Sequence, residues 1–330
     1  MITAGIDVGT KDSCVVVSED GRVLDYTVVE NLKDSVLEIV RFLKDHNPNA
    51  IGCGFGYGLP IKRLSEIDEK DFACLTLSFG REIMGVRSLL RALKDNFGDV
   101  TYTIPSVKLL PTVPAHRKFN RIDMGTSDKV CSTALAMVRL GRSYEEQNFV
   151  LIEGGYGFNS FIAVKNGKIV DGLGGTSGFL SFSSSGSLDL EVLALMKGYS
   201  KELIFQGGLK SFIKCDFESI PDYALEWLFE YILKGVKVME AVLGSKYDLV
   251  VSGRMFDLYW REFEEFIGRS VFKIESVKSS AEGASIVANG IANGIYHGLV
   301  KHLELDNAKG SILDHISEDL RKLFKFPIEC

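Results

Sequence analysis

The sequence lacks the spacings that usually mark metal cages and iron–sulfur sites. None of its six cysteines forms a Cys-x-x-Cys pair. Histidines are few as well, and His297 and His302 lie five positions apart, which is not the i, i+4 spacing of paired helical ligands. These absences argue against a metal bound by cysteine or histidine, and the position of five cysteines in apolar or mixed segments predicts a reducing, cytoplasmic environment.

Positive charge is also in deficit. The 38 Lys and Arg residues are outnumbered by 44 Asp and Glu residues, so the formal net charge is −6. The main basic concentration, His116–Lys118 followed by Arg121, is small, and nucleic acid is therefore not an expected partner. A membrane is not expected either, because charged residues interrupt the most apolar helical stretch, Tyr223–Leu243, at helical spacing.

What the chain does have is apolar content and an internal repeat. Its 330 residues, 46% of them hydrophobic, suffice for about two domains. With an offset of 146 positions, Ile6–Asp25 aligns without a gap with Ile152–Asp171. The matched pairs include Ile6 with Ile152, Asp7 with Glu153, Gly9 with Gly155, Asp20 with Asn166, Gly21 with Gly167, and Asp25 with Asp171. Two equivalent beginnings predict two similar domains that face one another across a cleft.

Each copy predicts the same local structure. The predicted order is a strand, a Gly-rich turn, a second strand, an Asp-Gly or Asn-Gly hairpin and a third strand. The hairpin is predicted because both of its central residues accept positive φ. Apolar positions at helical spacing then predict a helix that the Asn47-Pro48 pair ends, and a second helical pattern covers Leu188–Met196.

The two Gly-rich turns suggest phosphate chemistry. In Asp7–Lys11, Gly9 lets backbone N–H groups approach an anion, Thr10 and Lys11 add donors, and the Asp7 carboxylate can hold Mg²⁺. The segment Glu153–Gly157 would supply the opposing side, with Glu153 as a second metal ligand. Each turn alone is more often structural, but symmetric positions favour a nucleotide cleft.

A third element follows a predicted helix over residues 222–243. Asp248–Arg254 is typical of a buried strand that ends in a Ser-Gly turn. A helix of small residues, Ser280–Gly294, comes next. Small side chains admit either another backbone at close range or a flat ligand such as adenine, and the sequence leaves both open.

These features, in this order, resemble the ASKHA superfamily, which includes acetate and sugar kinases, Hsp70 ATPase domains and actin. The resemblance is greatest to the acetate/butyrate kinase branch, over about residues 115–212, and to a mainly archaeal family predicted to be butyrate-kinase-like. The segments that carry it are Arg121–Val130, Glu145–Gly155, Ser185–Asp189 and Gln206–Phe212.

The resemblance implies an α/β fold with two duplicated ribonuclease-H-like domains, each a mixed five-stranded sheet with helices, around a nucleotide cleft. The expected domains are residues 1–147, with the first phosphate turn and the acceptor side, and 148–330, with the second phosphate turn and the adenosine side. A last helix over Ser317–Phe324 is expected to pack on the first domain. ATP and Mg²⁺ are the expected cofactors, with binding residues Gly9, Thr10, Lys11, Glu153, Gly154, Gly155, Gly157, Ser252, Gly253 and Arg254.

The sequence also departs from the acetate kinase pattern. Met124 stands where the branch has a histidine that touches the transferring phosphoryl group, and Ser184 replaces an arginine. Phosphoryl transfer depends on cations that neutralise the equatorial oxygens. The acetate kinase reaction therefore cannot simply be carried over.

Other residues are candidates for the chemistry. Arg117 and Arg121 could bind a carboxylate or phosphate with two hydrogen bonds, and Asp123 or Asp128 could act as a base. A solvated basic turn followed by helix capping explains the same residues. Alternate glycines at Gly56 and Gly58 follow the next predicted strand, where relatives bind the acceptor, and close packing is the competing explanation.

Two functions remain open from the sequence. The first is a cytoplasmic ATP- and Mg²⁺-dependent kinase for a small anionic acceptor, in which Asp7 organises the metal. The second is a nucleotide-binding switch or regulatory ATPase, which better explains the missing arginine and histidine. A small molecule is the expected partner, and a homodimer is left open.

Overall fold

The structure, a computed structural model, describes residues 1–9, 11–77 and 85–324. It divides into two compact units. The first comprises Met1–Gln147, Asn166–Ile169 and the chain from Ser276 onward, and the second comprises Asn148–Lys165 and Val170–Glu275. The first boundary falls at the expected position after Gln147, but residues from 276 onward pack with the first unit and not with the second.

The first unit contains a mixed five-stranded sheet. Its strands are β1 (Ile2–Val8), β2 (Ser13–Glu19), β3 (Arg22–Val29), β4 (Ala50–Cys53) and β5 (Thr101–Thr103). The spatial order is β3-β2-β1-β4-β5. The hairpin strands β1, β2 and β3 pair antiparallel, whereas β4 pairs parallel with both β1 and β5.

Helices up to residue 147 cover this sheet. They are α1 (Leu32–His46), α2 (Glu69–Thr76), α3 (Val86–Phe97), α4 (Ala115–Lys118) and α5 (Ser127–Leu140). As predicted, α1 ends at Asn47, which adopts a left-handed conformation with a φ of 45° and donates its N–H to the Leu43 carbonyl. Leu32, Ile39, Val40 and Leu43 bury the apolar face of α1 in the core.

The second unit repeats the sheet. Its strands are β6 (Phe149–Gly154), β7 (Asn159–Lys165), β8 (Lys168–Leu173), β9 (Asp248–Ser252) and β10 (Val271–Lys273). Their order, β10-β9-β6-β7-β8, is the same topology, with β6 antiparallel to β7 and parallel to β9. The predicted fold class, with two mixed five-stranded sheets, is confirmed.

The offset of 146 positions also holds in the strand pairing. Asp7 lies opposite Cys14 in the first sheet, and Glu153 lies opposite Ser160 in the second. The hairpin residues agree as well, since Asp20 and Asn166 have φ values of 47° and 51°. The glycine after each also has a positive φ, as a two-residue hairpin turn of this type requires. The sequence repeat is therefore a structural repeat.

Three helices belong to the second unit. They are α6 (Leu190–Ala194), α7 (Asp222–Leu243) and α8 (Arg254–Ile267). The predicted helix at Leu188–Met196 is shorter than expected, because Asp189 caps it by accepting the Glu191 N–H. Helix α7 has the predicted bounds and buries Leu228, Phe229 and Ile232 in the core of this unit.

The end of the chain returns to the first unit with α9 (Ser279–Ile291), α10 (His297–His302) and α11 (Glu318–Arg321). Helix α9 lies close to β1, since a Cβ added to Gly5 would be 2.0 Å from the Ala281 carbonyl oxygen. A Cβ on Gly283 would be 1.9 Å from the Cys131 carbonyl oxygen in α5. The small residues of α9 thus serve close backbone packing.

The terminal segment is tied to the loop before α5. The Asn120 N–H donates to the His315 carbonyl at 2.9 Å, and the Ser317 N–H donates to the Asn120 side chain at 2.8 Å. Short 3₁₀ turns occur at Leu64–Glu66, Val107–Leu109, Tyr144–Glu146, Lys201–Phe205, Leu209–Ser211, Phe217–Ser219 and Leu305–Asn307. Within the described ranges, no helix is both long and apolar enough to cross a membrane.

Candidate functional site

The first Gly-rich turn joins β1 to β2. It is closed by a hydrogen bond from the Gly9 N–H to the Asp12 carbonyl at 3.0 Å. Asp7 is the second-last residue of β1 and is only 3% exposed. A Cβ on Gly9 would approach the Asp12 carbonyl oxygen to 2.7 Å, so glycine is needed there for close backbone approach. Lys11 is exposed, and the predicted phosphate ligand Thr10 lies outside the described residues.

A lysine from the far end of the sequence reaches this turn. The Lys278 ammonium lies 2.7 Å from an Asp12 carboxylate oxygen and 3.6 Å from an Asp7 carboxylate oxygen. Burial opposes its charge, but the two carboxylates outweigh burial and hold the pKa of Lys278 above its ordinary value. Asp7, Asp12 and Lys278 therefore form one charged cluster at the end of β1.

Cys14 adjoins the same cluster from β2. It pairs with Asp7 across the hairpin and is buried. Burial, and then the negative charge of Asp7, raise the pKa of the Cys14 thiol to about 12. The thiol is therefore protonated at neutral pH and is not a nucleophile here.

The donor chemistry of the first turn fits Mg²⁺. The carboxylates of Asp7 and Asp12 are oxygen ligands, and the Lys278 ammonium that both hold marks a position for a positive charge. Among the described residues, no group of three or more His, Cys, Asp or Glu side chains could hold a metal. Two carboxylates are enough for Mg²⁺, which keeps several waters and takes further oxygens from phosphates.

The second Gly-rich turn is closed by the equivalent backbone hydrogen bond. The Gly155 N–H donates to the Phe158 carbonyl at 2.8 Å, which is the Gly9–Asp12 bond shifted by 146 positions. Glu153, at the end of β6, pairs with Ser160 on one side and Ser252 on the other. Its predicted role as a metal ligand stays a prediction.

The turn after β9 lies beside the second turn. Gly253 has a φ of 91°, and a Cβ there would be 2.6 Å from the Gly154 carbonyl oxygen. The structure thus brings together the segments Glu153–Gly157 and Ser252–Arg254, which the sequence predicts to bind the nucleotide. Arg254 begins α8 and forms an ion pair with Glu218 at 2.6 Å.

The predicted acceptor residues form a separate cluster in the first unit. Both the backbone N–H and the hydroxyl of Ser127, the first residue of α5, contact the Gly56 carbonyl, at 3.3 Å and 3.2 Å. A Cβ on Gly56 would be 2.5 Å from the Leu75 carbonyl oxygen, and one on Gly58 would be 2.4 Å from the Ser106 nitrogen. Close packing therefore accounts for both glycines, and their predicted substrate role stays a prediction.

The two candidate bases differ in their surroundings. Asp123 is buried and accepts the Gly125 N–H at 3.2 Å. Burial, and then the charge of Asp123, raise the pKa of Tyr57. Asp128 lies at the start of α5, where the Thr126 hydroxyl and the Lys129 ammonium both donate to its carboxylate.

The basic loop is organised by lysines that the sequence analysis did not select. The buried Lys108 donates to the carbonyls of Arg121 and Ile312, and burial lowers the pKa of Lys108 to about 8. Lys118 is also buried and donates to the Leu110 carbonyl at 2.8 Å. Arg117 and Arg121 are half-buried in this loop, and their predicted anion-binding role stays a prediction.

Lys278 and Asp12 are the residues that the sequence analysis missed. Asp12 lies within the repeated segment Ile6–Asp25, but its repeat partner is Phe158, so the repeat gave no reason to choose it. Lys278 directly precedes the small-residue helix α9 and matches no motif. Only the packing of α9 on β1 brings its ammonium to Asp7.

Comparisons with known proteins agree with this fold. A family model described as "Protein of unknown function (DUF1464)" matches residues 5–318. The chain belongs to this family. A search of the curated proteins finds no match.

Solved structures give similar folds at low sequence identity. Acetate kinase from Entamoeba histolytica has a TM-score of 0.60 at 13% identity, with 81% of this chain and 85% of that chain covered. A propionate kinase from Francisella tularensis subsp. tularensis has a TM-score of 0.59 at 14% identity, with 86% and 98% covered. A ROK family transcriptional regulator, a homolog of the E. coli MLC protein, has a TM-score of 0.50 at 12% identity, with 92% and 81% covered.

These likenesses bear on the fold. They show that the chain shares the fold of an acetate kinase and a propionate kinase, in agreement with the fold that the resemblance predicts. Because identities this low do not carry residue roles, the chemistry must be argued from the side chains of this chain.

Proposed function

We propose that the chain is an ATP- and Mg²⁺-dependent phosphotransferase that acts on a small anionic acceptor, with a carboxylate as the favoured class. One observation carries the proposal: Asp7 and Glu153 are the second-last residues of equivalent strands in the same register, and each precedes a glycine turn closed by the same hydrogen bond. Successive backbone N–H groups in such turns suit phosphate oxygens. The names of two structural neighbours, an acetate kinase and a propionate kinase, support the acceptor class.

The reaction would transfer the terminal phosphoryl group of ATP. An oxygen of the acceptor carboxylate attacks the γ-phosphorus, the bond from that phosphorus to the β–γ bridging oxygen breaks, and ADP leaves with the bond's electrons. The product is an acyl phosphate. Such a transfer needs little covalent help from the protein, so positioning and charge carry the catalysis.

The first turn would hold the metal. Asp7 and Asp12 would hold Mg²⁺ through their carboxylate oxygens, and the chemistry supplied at this turn would be positive charge that neutralises phosphate oxygens. The backbone around Gly9, with Lys11 and Thr10, would contact phosphates. In the second unit, Glu153–Gly157 would likewise contact the phosphates. Ser252–Arg254 would bind the adenosine part of the nucleotide.

The acceptor would be bound near the start of α5. Arg117 and Arg121 would attract its negative charge, and Asp123 or Asp128 would orient it. Ser127, the first residue of α5, donates to the Gly56 carbonyl and so joins the start of α5 to the segment that carries the predicted acceptor glycines. Of the two carboxylates, Asp123 is the one whose charge acts on the neighbouring Tyr57.

A second function, a nucleotide-binding switch or regulatory ATPase, rests on different observations. Met124 and Ser184 replace the histidine and the arginine of the acetate kinase pattern. One structural neighbour is a transcriptional regulator. A switch needs bound nucleotide but no acceptor, so it tolerates these losses.

The deciding experiment supplies the chain with ATP, Mg²⁺ and a panel of carboxylic acids from acetate to longer and branched acids. Hydroxylamine traps acyl phosphates as hydroxamates, and ADP is measured in parallel. A kinase gives one hydroxamate for each ADP with at least one acid. Slow ADP release that no acid accelerates favours the switch, and a failure to bind ATP or ADP with Mg²⁺ contradicts both functions.

A further inference from the structure

The Lys278 side chain is held in place by its surroundings. The backbone carbonyl of Lys278 accepts the Glu282 N–H at 2.9 Å, and this hydrogen bond lies at the start of α9. The Glu282 carboxylate accepts the Val277 N–H at 2.6 Å and forms an ion pair with Arg139 at 2.9 Å. Because α9 also packs closely on Gly5, the Lys278 backbone is fixed beside the first turn.

The ammonium of Lys278 bridges two carboxylates. It lies 2.7 Å from Asp12 and 3.6 Å from Asp7, and the Asp7 side chain is almost completely buried. This is the arrangement in which two oxygen ligands share one cation. A lysine therefore occupies the position that suits a metal ion in the first turn.

We infer that Lys278 is the built-in counter-cation of the first turn, which keeps divalent cations off Asp7 and Asp12 unless a polyphosphate enters with them. Two carboxylates and one ammonium leave a single net negative charge, which attracts a divalent ion weakly beside a fixed positive group. A polyphosphate changes this balance, because its oxygens coordinate the ion and give the displaced ammonium a new partner.

This inference deepens the proposed function and rests on it only in taking the polyphosphate to be that of ATP. The competition between Lys278 and a divalent ion is a property of the first turn alone. It can therefore be measured with Mn²⁺, which is visible by electron paramagnetic resonance, without any nucleotide or acceptor.

The experiment compares Mn²⁺ binding by the wild type, by Lys278→Met and by Lys278→Gln. The wild type is expected to bind Mn²⁺ weakly, and each variant is expected to bind it about tenfold more tightly or better, because the competing charge is gone. Adding Asp12→Asn to either variant should abolish the gain. Lys278→Gln keeps an N–H donor for Asp12, so it serves if the methionine variant fails to fold, as judged by thermal unfolding.

Lys273→Met is the matched control. Lys273 also has two carboxylate neighbours, Asp257 and Glu275, each at 3.6 Å, but both acids are exposed. Removal of this lysine should leave Mn²⁺ binding unchanged. Equal Mn²⁺ affinity of the wild type and a folded Lys278 variant would overturn the inference, as would an equal gain in the control.

A second arm separates this inference from the proposed function. Inorganic tripolyphosphate should restore Mn²⁺ binding to the wild type, whether or not the chain recognises adenosine. Failure of tripolyphosphate to do so would overturn the polyphosphate part of the inference. If tripolyphosphate succeeds and an unhydrolysable ATP analogue fails, the inference holds and the proposed function is contradicted.

Discussion

The two Gly-rich turns are closed by the same backbone hydrogen bond but differ in the chemical character of their side chains. Each turn is closed by the hydrogen bond from a glycine N–H to a carbonyl three residues later, at 3.0 Å and 2.8 Å. In the first turn that carbonyl belongs to Asp12, whose carboxylate holds Lys278. In the second it belongs to Phe158, whose ring packs 5.5 Å from that of Phe205.

The two copies of the repeat therefore share the hydrogen bond that closes the turn, whereas the side chains at equivalent positions differ in chemistry. Close backbone approach demands glycine in both copies, and this demand keeps the turns alike. No such demand acts on the position of Asp12 and Phe158, which carries charge in one unit and an aromatic ring in the other. This difference favours the first turn as the proposed metal site.

The strands that lead into the two turns also differ in their side chains. The largest predicted effect is on the free energy of unfolding and concerns a glycine in the first of these strands. Gly5 in β1 corresponds to Leu151 in β6, and only the first is covered closely by α9. Gly5→Leu should abolish folding or cost more than about 3 kcal/mol, because its Cβ would meet backbone at 2.0 Å. The free energy of unfolding measures this.

Gly298→Leu is the control for that variant. Gly298 lies in α10 with no atom within 4 Å of an added Cβ, so leucine there should be neutral or stabilising. Near-wild-type stability of Gly5→Leu would show that α9 does not pack on β1 as described.

The second prediction concerns activity. Asp7→Asn should lower phosphoryl transfer by about a hundredfold or more, whereas Glu153→Gln should lower it by about tenfold, because the charged cluster belongs to the first turn. Initial rates at saturating ATP and Mg²⁺ measure both. Asp25→Asn, which changes an exposed carboxylate on β3, should have the wild-type rate. An equal or larger loss in the Glu153 variant would reverse the assignment.

The third prediction compares the two turn glycines. A Cβ on Gly9 would be 2.7 Å from a backbone oxygen, and one on Gly155 would be 3.2 Å from the equivalent oxygen. Gly9→Ala should therefore destabilise the chain by about 1–2 kcal/mol, and Gly155→Ala by less than about 1 kcal/mol. Thermal unfolding of the two variants tests which one loses more stability. A larger loss in Gly155→Ala would mean that the first turn is the less tightly packed of the two.

The smallest effect is a pH dependence of stability from Cys14, whose counterpart is Ser160. Its pKa is about 12 in the folded chain, above the ordinary value of 9.0, because of burial and then Asp7. The folded state thus binds the proton more tightly, and this stabilisation is lost as the pH rises from about 9 toward 12. The free energy of unfolding should fall by up to about 1 kcal/mol per pH unit more in the wild type than in Cys14→Ser. Parallel slopes would contradict the shift.

Local signals made much of the fold predictable. The hairpin glycines, the end of α1 at Asn47 and the bounds of α7 follow from nearby residues, because turns and caps depend on neighbouring backbone conformations. The offset of 146 positions then predicted the three hairpin strands of the second sheet from those of the first, whereas the five-stranded sheets were predicted from the family resemblance. These predictions needed no knowledge of distant contacts.

The remaining features depend on contacts between residues far apart in the sequence. Lys278 approaches Asp7 only because α9 packs on β1, and no periodicity encodes that contact. Lys108 was not selected because its acceptors are backbone carbonyls, which the sequence does not distinguish. The predicted range 148–330 placed only the last helix on the first domain, and local signals could not show that residues 276–316 also join the first unit. The cytoplasmic location and the homodimer stay predictions.

The central claim is that the first turn binds the metal and polyphosphate of ATP. Titration calorimetry of ATP into the chain, with and without Mg²⁺, tests it most directly. The account predicts one ATP per chain, with tighter binding when Mg²⁺ is present and with that gain lost in Asp7→Asn. The absence of ATP binding, or a gain from Mg²⁺ that Asp7→Asn leaves unchanged, would contradict it.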